Sequence, residues 1–335
     1  MNRVTMADVA KAAGISKSTV SQFLNGRYEY MSRETKDRIK AAIDELGYHP
    51  NYIARSLKQK RTSLIGIVAA NIVHTVSTEM SRAIEDYFHE KDIQVIFCNS
   101  YDDQEKEKKY INNLRARQVD GLVIFPAEKN TELYKRLEDE SYPVVFADRK
   151  IAGIQVNTVV VDNRDALDQA VHHLIAEGHS KLAILTPPLT IYPRRERIEG
   201  FKEAVRKHGG KVYDHLVRST EIRAMVTELE SMFAEGNGPT ALIAGNDLTY
   251  FEIMKFARKH QIRIGKDLAL VVFDNIELAA FSEPSLTIIN QPAYEMGLMA
   301  GELLYEQISG RSAKIGTYVF PAEMIVRGSS VLKEE

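Results

Sequence analysis

Residues 4–26 read VTMADVAKAAGISKSTVSQFLNG. Thr5 followed three residues later by Asp8 is the pattern of a capping box at a helix start, and Gly14 supplies a stop. Ser16 is placed to cap a second helix that Asn25-Gly26 ends. In that second helix Lys17, Ser18, Ser21 and Gln22 share one face at the 3.6-residue spacing, while Thr19, Val20 and Leu24 turn inward. A helix entering the DNA major groove needs an outer face that can hydrogen-bond and is short enough to approach base edges, which these four residues provide. A solvated polar face would contain the same residues. The glycine turn and the charge balance described next favour the groove.

Across residues 1–62 there are 12 Lys and Arg against six Asp and Glu, leaving 32 basic and 40 acidic residues for the rest of a chain whose formal charge is −2. A front end near +6 on a body near −8 fits a polyanionic partner for the front only. Ser32 can cap a third helix in which Ile39, Ile43 and Leu46 recur until Gly47. With Val9, Ala13, Ile15, Val20 and Leu24 they would form a small core, so residues 1–47 are expected to be an all-α helix-turn-helix head.

From Leu64 onward short apolar runs alternate with amphipathic stretches: LIGIVAA, IQVIFC, GLVIF, PVVFA, NTVVV, KLAILT, ALIAG, LALVVF and LTII. Runs without strict alternation suit parallel strands covered on both faces, and the stretches between them suit crossover helices. With a length of 335 residues, this predicts an α/β fold: the helical head plus a two-lobed, doubly wound α/β core. The expected boundaries are 1–47 for the head, 48–62 for a hinge and linker, 63–161 with part of 291–320 for the first lobe, and 162–290 with part of 321–335 for the second. In the linker Pro50 can open a helix, Asn51 can cap it, and Ala54, Arg55, Ser56, Leu57 and Lys58 favour or tolerate it.

No apolar run reaches the roughly 18 residues of a membrane span and the start lacks the pattern of a signal peptide, so a cytoplasmic protein is expected. Cys98, the single cysteine, rules out a disulfide within the chain and reads as a buried core thiol.

The head sequence, VTMADVAKAAGISKSTVSQFLNG with SRETKDRIKAAIDELGYHPNYIARSLKQKRT, resembles the DNA-binding head of the lactose repressor and galactose repressor family. The likeness continues through LIGIVAANI, DGLVIFPA, VVFADR, VVVDN, RIEGF, ALIAGND, VVFDN and INQPAYEMG, over almost the whole chain. It implies a transcriptional regulator, most simply a homodimeric repressor of carbohydrate-catabolism genes on near-palindromic double-stranded operator DNA, with a core like periplasmic sugar-binding proteins. DNA contacts are expected from Thr5, Ser16, Lys17, Ser18, Ser21, Gln22 and Asn25, and from Asn51, Ala54, Arg55, Leu57 and Lys58 of the hinge. The family further implies that the hinge becomes helical only on DNA, where Leu57 wedges into the minor groove. Many members carry arginine where this chain has Gln22; arginine suits guanine and glutamine suits adenine, so an operator altered at that contact is expected. Lys11, Lys17, Lys58, Lys60 and Arg61 are expected on phosphates. The end of the chain, RGSSVLKEE, shows no leucine heptads, which favours a dimer over a tetramer.

In the core, polar residues follow the expected strands: Asn71, Asp148, Arg149, Asp162, Asn246, Asp247 and Asp274. Ligands of open α/β sheets bind at such strand ends, and sugars need carboxylates, amides and guanidinium groups that hold two hydroxyls at once. The resemblance assigns effector contact to Arg149, Arg197, Asn246 and Asp274, with Asp148 and Gln291 as further candidates. A helix cap is the competing role for any one Asp or Asn. His74 stands in NIVHTVST, where relatives often show an Asn-Pro-Phe-like turn. Arg194 and Arg195 add positive charge and favour an acidic sugar, such as a uronate or ketogluconate type.

No cofactor and no metal site are expected. G-x-G-x-x-G after a first strand, G-x-x-x-x-G-K-[ST], G-x-S-x-G and H-E-x-x-H are all absent, which argues against an enzyme. The adjacent His172 and His173 make a poor metal pair. Two other readings stay open: a regulator answering to a phosphorylated carrier protein, and a sugar-binding protein without a DNA role.

Overall fold

The computed structural model describes residues 4–24, 26–29, 31–48, 61–234, 238–311 and 314–331. The chain divides into two compact units, Met1–Thr62 and Ser63–Glu335.

In the first unit α1 (Met6–Ala13), α2 (Lys17–Leu24) and α3 (Arg33–Leu46) follow one another. Their ends are set by local chemistry. The Asp8 carboxylate accepts the Thr5 N–H at 2.8 Å and Thr5 Oγ1 accepts the Asp8 N–H at 3.4 Å, closing the capping box. Gly14, at φ 64°, turns the chain left-handed so that its N–H reaches the carbonyls of Ala10 and Lys11, a conformation that costs a residue with a Cβ. Ser16 Oγ accepts the Thr19 N–H at 3.1 Å, and Ser32 Oγ that of Thr35 at 3.2 Å. Val9, Ala13, Val20 and Ile39 are buried, whereas Ile15, Leu24, Ile43 and Leu46 are half-buried around them. Tyr48, assigned to the linker by the sequence reading, is buried in this core with Ala10 and Ala42. Its N–H donates to the Ile43 carbonyl at 3.0 Å, which folds it back past Gly47.

The second unit holds two six-stranded sheets. The first runs β2 (Gln94–Asn99), β1 (Leu64–Ala69), β3 (Gly121–Ile124), β4 (Val144–Ala147), β5 (Asn157–Val161) and β11 (Thr317–Phe320), all parallel. The second runs β7 (Val217–Ser219), β6 (Leu182–Thr186), β8 (Ala241–Ala244), β9 (Ala269–Phe273), β10 (Thr287–Asn290) and β12 (Glu323–Ile325), with β12 antiparallel to β10. Each of the nine apolar runs is a strand. The three strands not anticipated, β7, β11 and β12, have three or four residues and half-exposed side chains. All three are edge strands, so no continuous apolar run is demanded of them. β2 is also an edge, which explains why Cys98 is half-buried and not in the deep core; its burial still pushes the thiol pKa up.

Helices α4 (Thr75–His89), α5 (Gln104–Ala116), α6 (Thr131–Asp139) and α11 (Ala293–Ile308) flank the first sheet, and α7 (Asn163–Ala176), α8 (Tyr192–Lys207), α9 (Met225–Met232) and α10 (Asp247–Lys259) the second. Leu122 and Phe146 of one sheet face pack with Ile111 and Tyr134. Leu242 and Leu270 of the other sheet do the same with Leu229 and Phe256. The opposite faces belong to one continuous cluster that runs from Ile67, Met80 and Phe125 to Phe201, Val271 and Phe273. The chain passes between the sheets after β5, after β10 and between β11 and β12. In both sheets the first strand lies between the second and the third, which places a topological switch point, and a crevice, at the strands' carboxyl ends.

Candidate nucleic-acid interface and interlobe cleft

On α2 the side chains of Lys17, Ser18 and Gln22 are exposed and Ser21 is half-buried, while Val20 on the opposite side is fully buried. Ser16 Oγ lies 2.7 Å from Ser18 Oγ and 2.8 Å from Thr19 Oγ1, so the hydroxyls at the helix start are already arranged. No acidic residue occupies the first turn of α2, which leaves the positive end of its dipole uncompensated, a favourable place for a phosphate. Thr5 is exposed, but its hydroxyl donates to Asp8 at 2.7 Å within the capping box. Asn25 and the hinge candidates Asn51, Ala54, Arg55, Leu57 and Lys58 lie outside the described residues.

Between the lobes of the second unit the strand ends enclose a cavity of about 260 Å³, close to the lower limit of roughly 300 Å³ for small-molecule pockets. Asn71, His74 and Asp102 line it from the first lobe; Pro187, Pro188, Thr190, Arg194, Glu221, Ile222, Asn246 and Leu248 line it from the second. Asn246 caps α10, accepting the Thr249 N–H at 2.9 Å and the Thr249 hydroxyl at 2.6 Å through Oδ1, so the cap role and a place on the cavity wall coexist in one residue. Asn71 Oδ1 accepts the Val73 N–H at 3.1 Å.

The other candidates form a buried polar layer and do not line the cavity. Arg149 places Nη2 2.8 Å from Asp102 Oδ1, and its Nε is 3.8 Å from the half-buried Asp148. Burial opposes ionisation of Asp102, but Arg149, joined by the charges of Arg194 and His74, outweighs it and holds the carboxyl below its usual range. Arg197 donates from Nε to Asn163 Oδ1 at 2.8 Å and from Nη1 to the Gly245 carbonyl at 2.7 Å, and its guanidinium lies 3.6 Å from the centre of the Phe273 ring. The close approach at Gly245 tolerates no side chain, because a Cβ there would come within 2.7 Å of Thr186 Cβ. Asp274, at φ 90°, accepts a hydrogen bond from Gln291 and stands 3.9 Å from Arg197 Nη2. That distance is the long end of an ion pair, so burial dominates and pushes the Asp274 pKa up to about 6. Asn163 and Gln291 sit where the chain passes between the sheets, so the two buried charges are held by residues of the crossovers. Arg149 Nε and Gln291 Oε1 are buried without a hydrogen-bond partner among the described residues, the kind of polar atom that native proteins normally satisfy with a partner or water.

Ion pairs between the described residues join the lobes directly. His74 Nδ1 lies 2.7 Å from Asp247 Oδ1, and Arg195 pairs with Glu128. Arg195, expected to add positive charge near the cleft, is therefore compensated by Glu128. Burial disfavours the His74 cation, yet its hydrogen bond to Asp247 and the Asp247 charge outweigh this and raise its pKa above 6.5. The raised His74 stabilises the contact between the lobes fully below its unfolded pKa and loses that contribution as pH rises through the folded value. Asp247, whose carboxyl is held low by His74 against the cost of burial, contributes above the usual carboxylate range and loses its share only in acid. The pair is thus strongest between about pH 4 and 6.5. Urea midpoints of the wild type and His74→Gln should differ more at pH 6 than at pH 8; an equal difference at both would show that the pair carries no charge.

Asp102 escaped the sequence reading because it follows an edge strand and stands beside Asp103, which caps α5. Asn163, Glu221 and the pairing role of Asp247 were also missed. A search of every strand end, the short edges included, would have found Asp102 and Glu221.

Comparison with known proteins adds to this geometry. Residues 5–51 match the family described as bacterial regulatory proteins, lacI family, and residues 171–330 match the periplasmic binding protein-like domain. Over 307 residues the chain is 43% identical to the "Probable HTH-type transcriptional regulator EndR" of Paenibacillus polymyxa, a match covering 91% of this chain and 90% of that one. Among solved structures, the lac repressor dimer bound to operator and the anti-inducer ONPF is similar with a TM-score of 0.85 and 25% identity, covering 98% of this chain and 100% of that one. The CelR–cellobiose complex is similar with a TM-score of 0.73 and 25% identity, over 98% and 100% of the two chains.

Proposed function

The chain belongs to the lacI family of bacterial regulatory proteins, DNA-binding regulators of transcription, and from this we propose that a small sugar or sugar acid in the interlobe cavity sets its hold on a near-palindromic operator. The observation that carries this reading is the cavity of about 260 Å³ walled by amides, ionisable groups and loops from both lobes. A ligand touching both walls favours one arrangement of the lobes. By linkage, operator binding changes effector affinity by the same factor. Asn71, His74 and Asn246 contact the effector, while Arg149, Arg197, Asp274 and Gln291, with Asp148 beside them, set the geometry and charge behind the wall. A cavity of this size favours a small molecule over a carrier protein as the signal.

The regulator works as a cytoplasmic homodimer. The lac repressor of the similar structure is a dimer on operator. In this chain Leu278 and Phe281, 69% and 84% exposed, offer apolar surface that a second copy would cover. Twofold protein symmetry then matches two half-sites. Among the described residues no helix is long and apolar enough to cross a membrane.

Selection of bound duplexes from a random pool, with wild type and Gln22→Arg in parallel, tests the DNA reading. Enrichment of a palindromic site is expected, with adenine replaced by guanine at one position per half-site in the variant, a discrimination of about 1–3 kcal/mol. No enrichment at moderate salt sinks the reading. An unchanged preference removes Gln22 from base contact.

A further inference from the structure

The cationic side chains of the cleft are compensated unequally. His74 has Asp247 at 2.7 Å, Arg149 has Asp102 at 2.8 Å, and Arg195 has Glu128. Arg194, in the first turn of α8 and on the cavity wall, touches no carboxylate among the described residues. Its Nη1 donates to the Pro188 carbonyl at 3.1 Å and to Thr190 Oγ1 at 3.4 Å, both neutral oxygens of the loop that precedes the helix. Those contacts fix the plane of the guanidinium and leave Nε and Nη2 without an acceptor among the described residues. Glu221, the other acid on the wall besides Asp102, is exposed, so water screens its charge. Burial, followed by the like charges of Arg149 and Arg197, outweighs the more distant carboxylates of Asp102 and Asp148 and depresses the Arg194 pKa to about 10, so the cation gains from an incoming anion.

Building on the reading of this cavity as the effector site, we propose that the effector is a monosaccharide acid whose carboxylate is received side-on by Nε and Nη2 of Arg194. An arginine fork matches a carboxylate with two parallel hydrogen bonds, and Nε with Nη2 forms such a fork. The wall amides of Asn71 and Asn246 then serve the hydroxyls. A single cation that no carboxylate contacts among the described residues matches a monoanion. A phosphate ester would bring nearly two charges.

The test uses the full-length protein and calorimetry. D-Glucose and D-galactose, with a panel of other hexoses and pentoses, are each compared with their own aldonic acid, uronic acid and phosphate ester. At least one acid is expected to bind tighter than its neutral counterpart. Arg194→Gln should weaken that acid by roughly 10- to 100-fold, the worth of a charged hydrogen bond, and the neutral sugar by a much smaller factor. Arg194→Lys, which keeps the charge without the fork, should recover part of the loss. Melting of the unliganded variants checks that the lobes are intact; if Arg194→Gln does not fold, the Lys variant and the acid-to-neutral ratio of the wild type decide. A neutral sugar or phosphate ester bound more tightly than every acid, or an acid affinity unmoved by Arg194→Gln, overturns the carboxylate assignment while the cavity remains a sugar site. Failure of every compound to bind overturns both.

Discussion

Arg197→Leu is expected to lower the melting temperature of the second unit by about 10 °C, because it strands a buried carboxylate, a loss of roughly 3–5 kcal/mol in a unit where each kcal/mol moves the midpoint a few degrees. Arg197 is 5% exposed and Asp274 4% exposed, so neither charge can turn to water. The variant also loses the bonds to Asn163 and Gly245 and the stacking on Phe273. The pH dependence identifies the cause. Asp274 already has a folded pKa of about 6, above its unfolded value, so the folded state binds its proton more tightly and stability from this group falls as pH rises through 6. Without Arg197 that pKa climbs further, and the deficit should be larger at pH 8 than at pH 5.5. The double variant Arg197→Leu with Asp274→Leu should recover much of the loss, since the stranded charge is gone. Melting curves at both pH values measure this. A shift below about 2 °C at pH 8, or a deficit equal at the two pH values, would mean that the buried pair is not what holds this region.

Val20→Asp should abolish specific operator binding, by at least about 10³-fold, leaving only the salt-sensitive attraction common to any duplex. Val20 is fully buried among Val9, Ala13 and Ile39. Burying an unpaired carboxylate there costs several kcal/mol, and a unit of this size has a total stability on the order of only a few kcal/mol. The chain divides into two compact units after Thr62, so the melting of the second unit should stay within about 1 °C of wild type. Fluorescence anisotropy on a selected operator at fixed salt, beside a calorimetric scan, reads both parts. Retained operator affinity would remove α2 from the interface, and a displaced core transition would show that the units do not fold separately.

The head was legible because its signals are local. Thr5 with Asp8, Gly14, Ser16 and Ser32 act within three or four residues of themselves, and the inward and outward faces of α2 follow from helical spacing alone. Tyr48 was misassigned because its burial depends on a fold-back past Gly47 that composition does not reveal. The eight central strands were legible for a related reason: a strand covered on both faces must be apolar throughout. The edge β2 was legible because its sequence is also an apolar run, whereas the short half-exposed edges β7, β11 and β12 carry none.

The sequence by itself determined the helical head, its outward polar row, the alternation that builds two mainly parallel sheets, and the polar character of the strand ends. Only the tertiary structure decided which of those polar groups meet. His74 and Asp247 are 173 positions apart, and the chain's passages between the sheets bring them together, as they do Arg195 and Glu128, leaving Arg194 on the wall without a contacting carboxylate among the described residues. Capping and periodicity act over a few residues along the chain, whereas electrostatic partnership acts through space between strand ends that the topology alone brings face to face.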